Sequence, residues 1–114
     1  MPGTTDTGYV QIGPNKGNRI ELRNKGLVTK LRIDVWGPGS LINCGIIGWP
    51  DGPSIPATLN PGQPAYNDGI FNGNEWESTP TSDIILNTGD APMIYRITVI
   101  HSEGSGSGSG SSGG

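Results

Sequence analysis

Apolar and polar residues alternate along several short stretches of the chain, the period-two pattern of strands with one buried face. Residues 19–23 (RIELR) set Ile20 and Leu22 against Arg19, Glu21 and Arg23. Residues 27–35 (LVTKLRIDV) set Leu27, Leu31, Ile33 and Val35 against Lys30, Arg32 and Asp34. Asn24-Lys25-Gly26 lies between them, and a glycine there suits the left-handed position of a three-residue loop, so the two stretches are expected to pair as a hairpin. Residues 92–101 repeat the pattern, with Met93, Tyr95, Ile97 and Val99 on one face and Arg96 and Thr98 on the other. Further strands are expected at 8–12, 40–49 and 82–87. The 40–49 run (SLINCGIIGW) is apolar on both faces, which predicts a central strand covered on two sides or one whose outer face meets a partner chain.

Helical spacing of apolar residues, free of Pro and Gly, is missing from every window of about a dozen residues. About seven or eight short strands separated by Gly, Pro and Asn clusters predict an all-β fold, a single antiparallel β-sandwich or jelly roll, with a small β-barrel as the alternative. The stretch from Pro50 to Pro80 breaks the alternation. Its prolines cannot donate to a sheet ladder, so it reads as ordered loop or edge.

Composition sets the scale of this fold. The chain has 114 residues, 32% of them hydrophobic, with 20 Gly and 10 Pro, enough for one small core. Gly104–Gly114 consist only of Gly and Ser, a flexible tail with the regularity of an engineered linker. The domain is therefore expected within residues 1–103. Cys44 is the one cysteine, so neither an internal disulfide nor a structural zinc site supports the fold, and packing or oligomerisation has to. The apolar runs are far shorter than the roughly twenty residues of a membrane-spanning helix, so no membrane insertion is expected. Residues 1–10 lack the basic start and apolar run of a secretory signal. Localisation stays open, an extracellular or particle-surface setting being favoured.

The formal net charge is −3, which argues against nucleic acid as a partner. Lys16, Arg19, Arg23, Lys25, Lys30 and Arg32 all precede residue 33, whereas Asp34, Asp51, Asp68, Glu75, Glu77, Asp83 and Asp90 follow with no base among them. Either the folded domain carries a basic and an acidic surface suited to head-to-tail association, or strand pairing interleaves the two sets. Glu21 and Asp34, alternating among the bases, are candidates for such cross-strand pairs.

Catalytic inventory is thin, and no enzyme is expected. The lone histidine, His101, sits just before the Gly/Ser tail, where a catalytic triad would stand on a fraying end. Cys44 lies amid Ile42, Ile46 and Ile47, the setting of a small buried hydrophobe. Glu75 and Glu77 flank Trp76, and in a strand they would share a face about 7 Å apart, a spacing compatible with glycoside hydrolysis. A domain this small offers little depth for a sugar cleft, so two solvated glutamates beside a packed tryptophan are the simpler reading.

The richest constellation is the loop from Tyr66 to Glu77 (YNDGIFNGNEWE). Asn67, Asp68, Asn72, Asn74, Glu75 and Glu77 supply oxygen ligands, and the intervening glycines let the backbone turn, which together suit a hard cation such as calcium. The EF-hand spacing is absent. The aromatic rings of the same loop, set among amides and acids, suit saccharide recognition, in which ring faces meet C–H surfaces and planar polar groups meet hydroxyls. Asn and Gly are also ordinary turn formers, which keeps a purely structural loop in view. Tyr66-Asn67-Asp68-Gly69 followed by Asn72-Gly73-Asn74 resembles the Asn- and Asp-rich calcium loop of small bacterial galactose-binding lectins of β-sandwich fold. The likeness implies that Asp68, Asn72 and Asn74 are similar to ion and sugar ligands. In those lectins the loop lies near the C-terminal strand. Here Glu75-Trp76-Glu77 and two further strands follow it, and the likeness assigns no family.

Trp36 precedes Gly37-Pro38-Gly39 and Trp49 precedes Pro50-Asp51-Gly52, so both rings are expected where strands leave the sheet. They either cap the core or join Trp76 in an exposed platform for a glycan or a neighbouring subunit. The favoured function is a non-enzymatic, lectin-like binding module for a saccharide or glycoconjugate. Tyr66, Asn67, Asp68, Asn72, Asn74, Trp76 and Trp49 are the expected ligand contacts, and Asp68, Asn72, Asn74 and Glu75 the expected calcium ligands if an ion assists; no cofactor is required. The alternative is a self-assembling coat, decoration or filament subunit, and a homo-oligomer is expected on either view.

Overall fold

A computed structural model describes residues 2–23, 25–62 and 75–102. The strands are β1 (Pro2–Asp6), β2 (Val10–Ile12), β3 (Gly17–Glu21), β4 (Leu27–Trp36), β5 (Leu41–Ile47), β6 (Trp76–Glu77), β7 (Asp83–Thr88) and β8 (Met93–Ser102). Among the described residues there is no helix, and hence none long and apolar enough to cross a membrane. The strands form two antiparallel sheets. One runs β1-β8-β4-β6, with β2 also on β8, and the other runs β3-β7-β5. The fold is an all-β sandwich with two separate sheets, not a closed barrel.

Alternation along the two longest strands builds the core. Leu31, Ile33 and Val35 of β4, Met93, Tyr95, Ile97 and Val99 of β8 and Ile12 of β2 are buried in one cluster with Ile84 and Leu86 of β7, Leu41 of β5, Leu22 and Leu59. A polar tie crosses the core between the sheets: the Asn18 side-chain amide of β3 donates to the Tyr95 hydroxyl of β8 at 2.8 Å. Burial raises the Tyr95 phenol above its ordinary pKa, against the smaller, opposing effect of the Asn18 hydrogen bond.

The expected hairpin between residues 19–23 and 27–35 does not form. β3 pairs with β7, matching Arg19 to Ile85 and Glu21 to Asp83, while β4 pairs with β8 and β6 in the other sheet. Alternation identifies the inward face of a strand but not its neighbour, and here the segment between the strands carries the chain across the sandwich. Leu22 is buried at the crossing, and its N–H donates to the Ser82 carbonyl at 2.8 Å. Gly26 has φ 76°, the left-handed conformation expected of it, but it serves the crossing, where its carbonyl accepts from the Ser78 N–H.

Asp83 anchors the same crossing. Its carboxylate accepts from Arg19 Nε at 2.8 Å and from Arg23 Nη2 at 3.1 Å. Its side chain is 1% exposed because the two guanidinium groups cover it on the outer face of the sheet. The basic hairpin face is thereby divided: Arg19 and Arg23 serve Asp83, and Arg32 pairs with Asp34 two residues along its own strand.

A second correction concerns 40–49. β5 is the edge of its sheet, not a central strand, and its far side is met at one end by an extended segment. Leu41 and Leu59 exchange backbone hydrogen bonds of 2.9 and 3.0 Å, and the Cys44 N–H donates to the Ala57 carbonyl. Cys44 is buried, as its apolar neighbours predict, and burial pushes its thiol up to about 11. β1 goes unsignalled in the sequence because its residues (PGTTD) carry no alternating apolar set. It is held by ladder pairing to β8 and by the Thr5 hydroxyl against His101 Nε2 at 2.8 Å.

Two outcomes follow. Ile33 is fully buried, so Ile33→Ala is expected to cost about 2–5 kcal/mol in chemical denaturation, through lost transfer energy and the cavity left behind. The hydrogen bond from Arg23, first, and the nearby positive charges hold the Asp83 carboxyl below its ordinary value of 3.8. A folded-state pKa below the unfolded one stabilises the fold fully above the unfolded value, and this contribution is lost as pH falls through the folded one. Asp83→Asn is therefore expected to flatten the decline of melting temperature below pH 4; an unchanged acid limb contradicts the assignment.

Candidate functional site

The sequence points to Trp49, Glu75 and Trp76, and the structure brings all three to one cleft. It has a volume of about 370 Å³ and is walled by Trp49, Pro50 and Asp51 on one side and by Glu75, Trp76, Glu77 and Thr79 on the other. The first wall follows β5 in the three-stranded sheet, and the second belongs to β6 in the five-stranded one. The cleft therefore bridges the two sheets along one side of the sandwich.

Local chemistry sets each wall. Gly48 has φ 71° and lies against the Thr81 backbone, leaving no room for a Cβ. Its carbonyl accepts from the Thr79 and Thr81 hydroxyls. The Thr79–Ser82 turn that supplies those hydroxyls is closed by the Thr79 N–H donating to Ser82 Oγ at 2.9 Å. This clasp joins the two walls. The chain then turns through Pro50 and Asp51, the Gly52 N–H donates back to the Trp49 carbonyl at 3.1 Å, and Gly52 lies directly on the indole ring. Trp49 ends 6% exposed, with its bulk in the core and a margin on the cleft.

Trp76 is placed by pairing. β6 sets it opposite Val28, whose side chain faces the core, and Glu77 opposite Leu27, whose side chain faces outward. Trp76 is half-buried, with one part packed on the core and the remainder on the cleft, and exposed Glu75 and Glu77 flank it. Two exposed glutamates beside a partly packed tryptophan match the simpler reading of the sequence, although β6 begins at Trp76 and Glu75 lies before it. Asp51 adds a third carboxylate from the opposite wall, a convergence that reasoning along the sequence missed. Its signal was the Trp-Pro-Asp-Gly turn, read only as a strand exit. Among the described residues no cation pairs with Asp51, Glu75 or Glu77.

Tyr66, Asn67, Asp68, Asn72 and Asn74 lie outside the described residues. Among those described, no three His, Cys, Asp or Glu side chains converge tightly enough to hold a metal ion, so a calcium site would need Asp68, Asn72 and Asn74 beside Glu75. The third tryptophan stands apart. Trp36 ends β4 on the outer face of the five-stranded sheet, 40% exposed, its ring centroid 5.2 Å from that of Tyr9.

The packing of Gly52 on Trp49 has a direct consequence. Gly52→Ala puts a methyl group into the indole and is expected to lower the melting temperature by several degrees, by forcing the ring from its place. An unchanged melting curve contradicts this view of the wall. In comparisons with protein-family models, curated proteins and solved structures, the chain matches none.

Proposed function

We propose that the protein is a non-enzymatic saccharide-binding module whose site is the cleft between the 49–52 turn and β6. The observation that carries this reading is the convergence, from two different sheets, of two tryptophans and three carboxylates that have no cationic partner among the described residues. The exposed part of Trp76 offers an apolar ring surface for the C–H face of a sugar, and Asp51, Glu75 and Glu77 accept hydrogen bonds from hydroxyls without needing a hydroxyl donor of their own. Three carboxylates repel an anion, so the ligand is a neutral or amino sugar. Residues 66–74, which precede Glu75 in the chain, extend the same chemistry with amides and Asp68, and calcium at Asp68, Asn72, Asn74 and Glu75 belongs to this proposal.

A second reading, a self-assembling structural subunit, is favoured by one feature. The outer face of the three-stranded sheet carries Ile42, Ile47 and Ile85 around Gly45, with Ile47 38% exposed, an apolar strip that a copy of the chain would cover.

The two tryptophans separate binding from stability. Trp76→Ala is expected to abolish capture on an array of neutral and amino sugars while leaving the far-ultraviolet circular dichroism of the sandwich in place. Trp49→Ala is expected to cost about 3–5 kcal/mol of stability, because its ring belongs to the core. Retained capture by Trp76→Ala removes the cleft from consideration. Light-scattering mass with calcium and with chelator distinguishes the readings: a small species whose melting temperature falls on chelation supports the calcium-assisted module, and a large, chelator-indifferent particle supports assembly.

A further inference from the structure

The outer face of the five-stranded sheet carries an open groove of about 490 Å³ that shares no residue with the cleft. Strand register lays out its floor. Lys30, Arg32, Asp34 and Trp36 alternate outward along β4, opposite Ile100, Thr98, Arg96 and Ile94 of β8. Successive outward positions lie about 6.7 Å apart, so the row from Lys30 to Trp36 spans about 20 Å.

An aromatic corner closes one end. β1 and β2 pair with β8 on either side of a break at Thr7-Gly8-Tyr9. In the break the Thr7 hydroxyl accepts the Ile97 N–H at 2.9 Å, Gly8 adopts φ 70°, and the Gly8 N–H donates to Asp6 Oδ1 at 2.7 Å. This interruption turns Tyr9 outward, 69% exposed. Its ring meets Trp36 at 54° and carries the Arg96 guanidinium 5.5 Å from its centroid. Arg96 is held there by Asp6, Nη2 lying 2.6 Å from Oδ2. Two large rings are thus exposed and oriented by a hydrogen-bonded frame, whereas unsupported exposed aromatics swing freely.

The opposite end differs in charge. The Lys30 side chain makes no ion pair or hydrogen bond with any described residue, while Arg32 is paired with Asp34. The groove and the ion pairs beside it carry three cations, Lys30, Arg32 and Arg96, against two carboxylates, Asp6 and Asp34, while Glu77 lies beyond the Lys30 end of the face, opposite Leu27. Lys30 is the groove's cation without a carboxylate partner among the described residues, so an anion entering the groove is drawn to Lys30.

We infer that this groove is a second binding site, for an acidic oligosaccharide. Its sugar rings lie on Trp36 and Tyr9, and a uronate carboxylate further along the chain lies on Lys30. An elongated groove with rings at one end and a lone ammonium about 20 Å away fits an extended ligand whose charge is spaced along it. An acidic peptide offers charge without the stiff C–H faces that the tilted ring pair accepts.

The test is affinity electrophoresis of the full chain in native gels containing polygalacturonate, neutral galactan, polyglutamate or poly(dT). Polygalacturonate alone is expected to retard the protein, and added salt to ease the retardation. Trp36→Ala and Lys30→Gln are each expected to weaken apparent affinity for polygalacturonate by about tenfold; Lys30 is exposed, so its variant reads binding even if Trp36→Ala folds poorly. Absence of retardation, equal retardation by any of the other three polymers, or a Lys30→Gln protein that behaves as wild type each overturns the inference. A light-scattering mass that drops only in Lys30→Gln assigns the groove to a second copy of the chain and overturns it too. Polygalacturonate reads this groove and the array of neutral and amino sugars reads the cleft, so each site stands or fails separately.

Discussion

Between Glu21 and Leu27 the chain must leave one sheet and enter the other, and the rest of the sandwich depends on how that crossing is held. Leu22 fills the core at the crossing, and Arg23 reaches back to Asp83 on β7. Ser78 Oγ receives the Lys25 N–H at 2.8 Å. Together these contacts keep β3 on β7 and free β4 to pair with β8 along its length. They also bring the 76–79 segment beside the start of β4, which is what sets β6, and with it Trp76, at the side of the sandwich facing Trp49. Without the crossing, β3 and β4 would be free to zip together as their intervening glycine invites, and β7 would lose a neighbour.

Charge follows this architecture more closely than it follows the order of residues. The bases of the first third of the chain are split between the two sheets. Arg19 and Arg23 are spent on a single carboxylate, whereas Lys30 and Arg32 join Arg96, which lies far along the chain, on the opposite outer face. The carboxylates that follow the basic third are divided as well, Asp83 beneath its arginines and Asp51, Glu75 and Glu77 around the cleft. The molecule presents an acceptor-rich recess at one place and a cation-bearing aromatic groove at another. If the proposed functions hold, the two surfaces would take ligands of different charge, with β6 of the cleft and the β8 part of the groove floor both paired to β4.

Much of the fold was legible in the sequence. Alternation located β4 and β8 and identified the inward residues of β8, because a half-buried strand leaves a period that survives without knowledge of partners, and apolar runs between turn residues located β5 and β7. What alternation cannot carry is pairing, which is why β3 seemed to belong with β4 and why the apolar β5 seemed central. β1 was invisible because its threonines acquire their strand role only from the ladder on β8. The tryptophans show the same boundary for the site. Trp36 and Trp49 both stand before Pro- and Gly-containing turns, yet one is exposed and the other buried. The difference lies in Gly52 folding onto one ring and the Thr7–Tyr9 break presenting a partner to the other. Trp76 and its flanking glutamates could be read as a unit from their spacing, but Asp51 reaches them only through the fold.

The segment alongside β5 bears on how the protein survives at high concentration. An exposed edge strand with isoleucines at several positions is a template for intermolecular sheet growth. Here the Leu41–Leu59 exchange and the Cys44-to-Ala57 bond occupy part of that edge. The covering chain runs between Pro53, Pro56 and Pro61, residues with no N–H to offer a further strand. That end of the sheet thus carries a cover that pairs on its inner side, and the prolines at both of the cover's ends confine any outward pairing to the four residues 57–60, which shortens the edge open to fibrillar stacking.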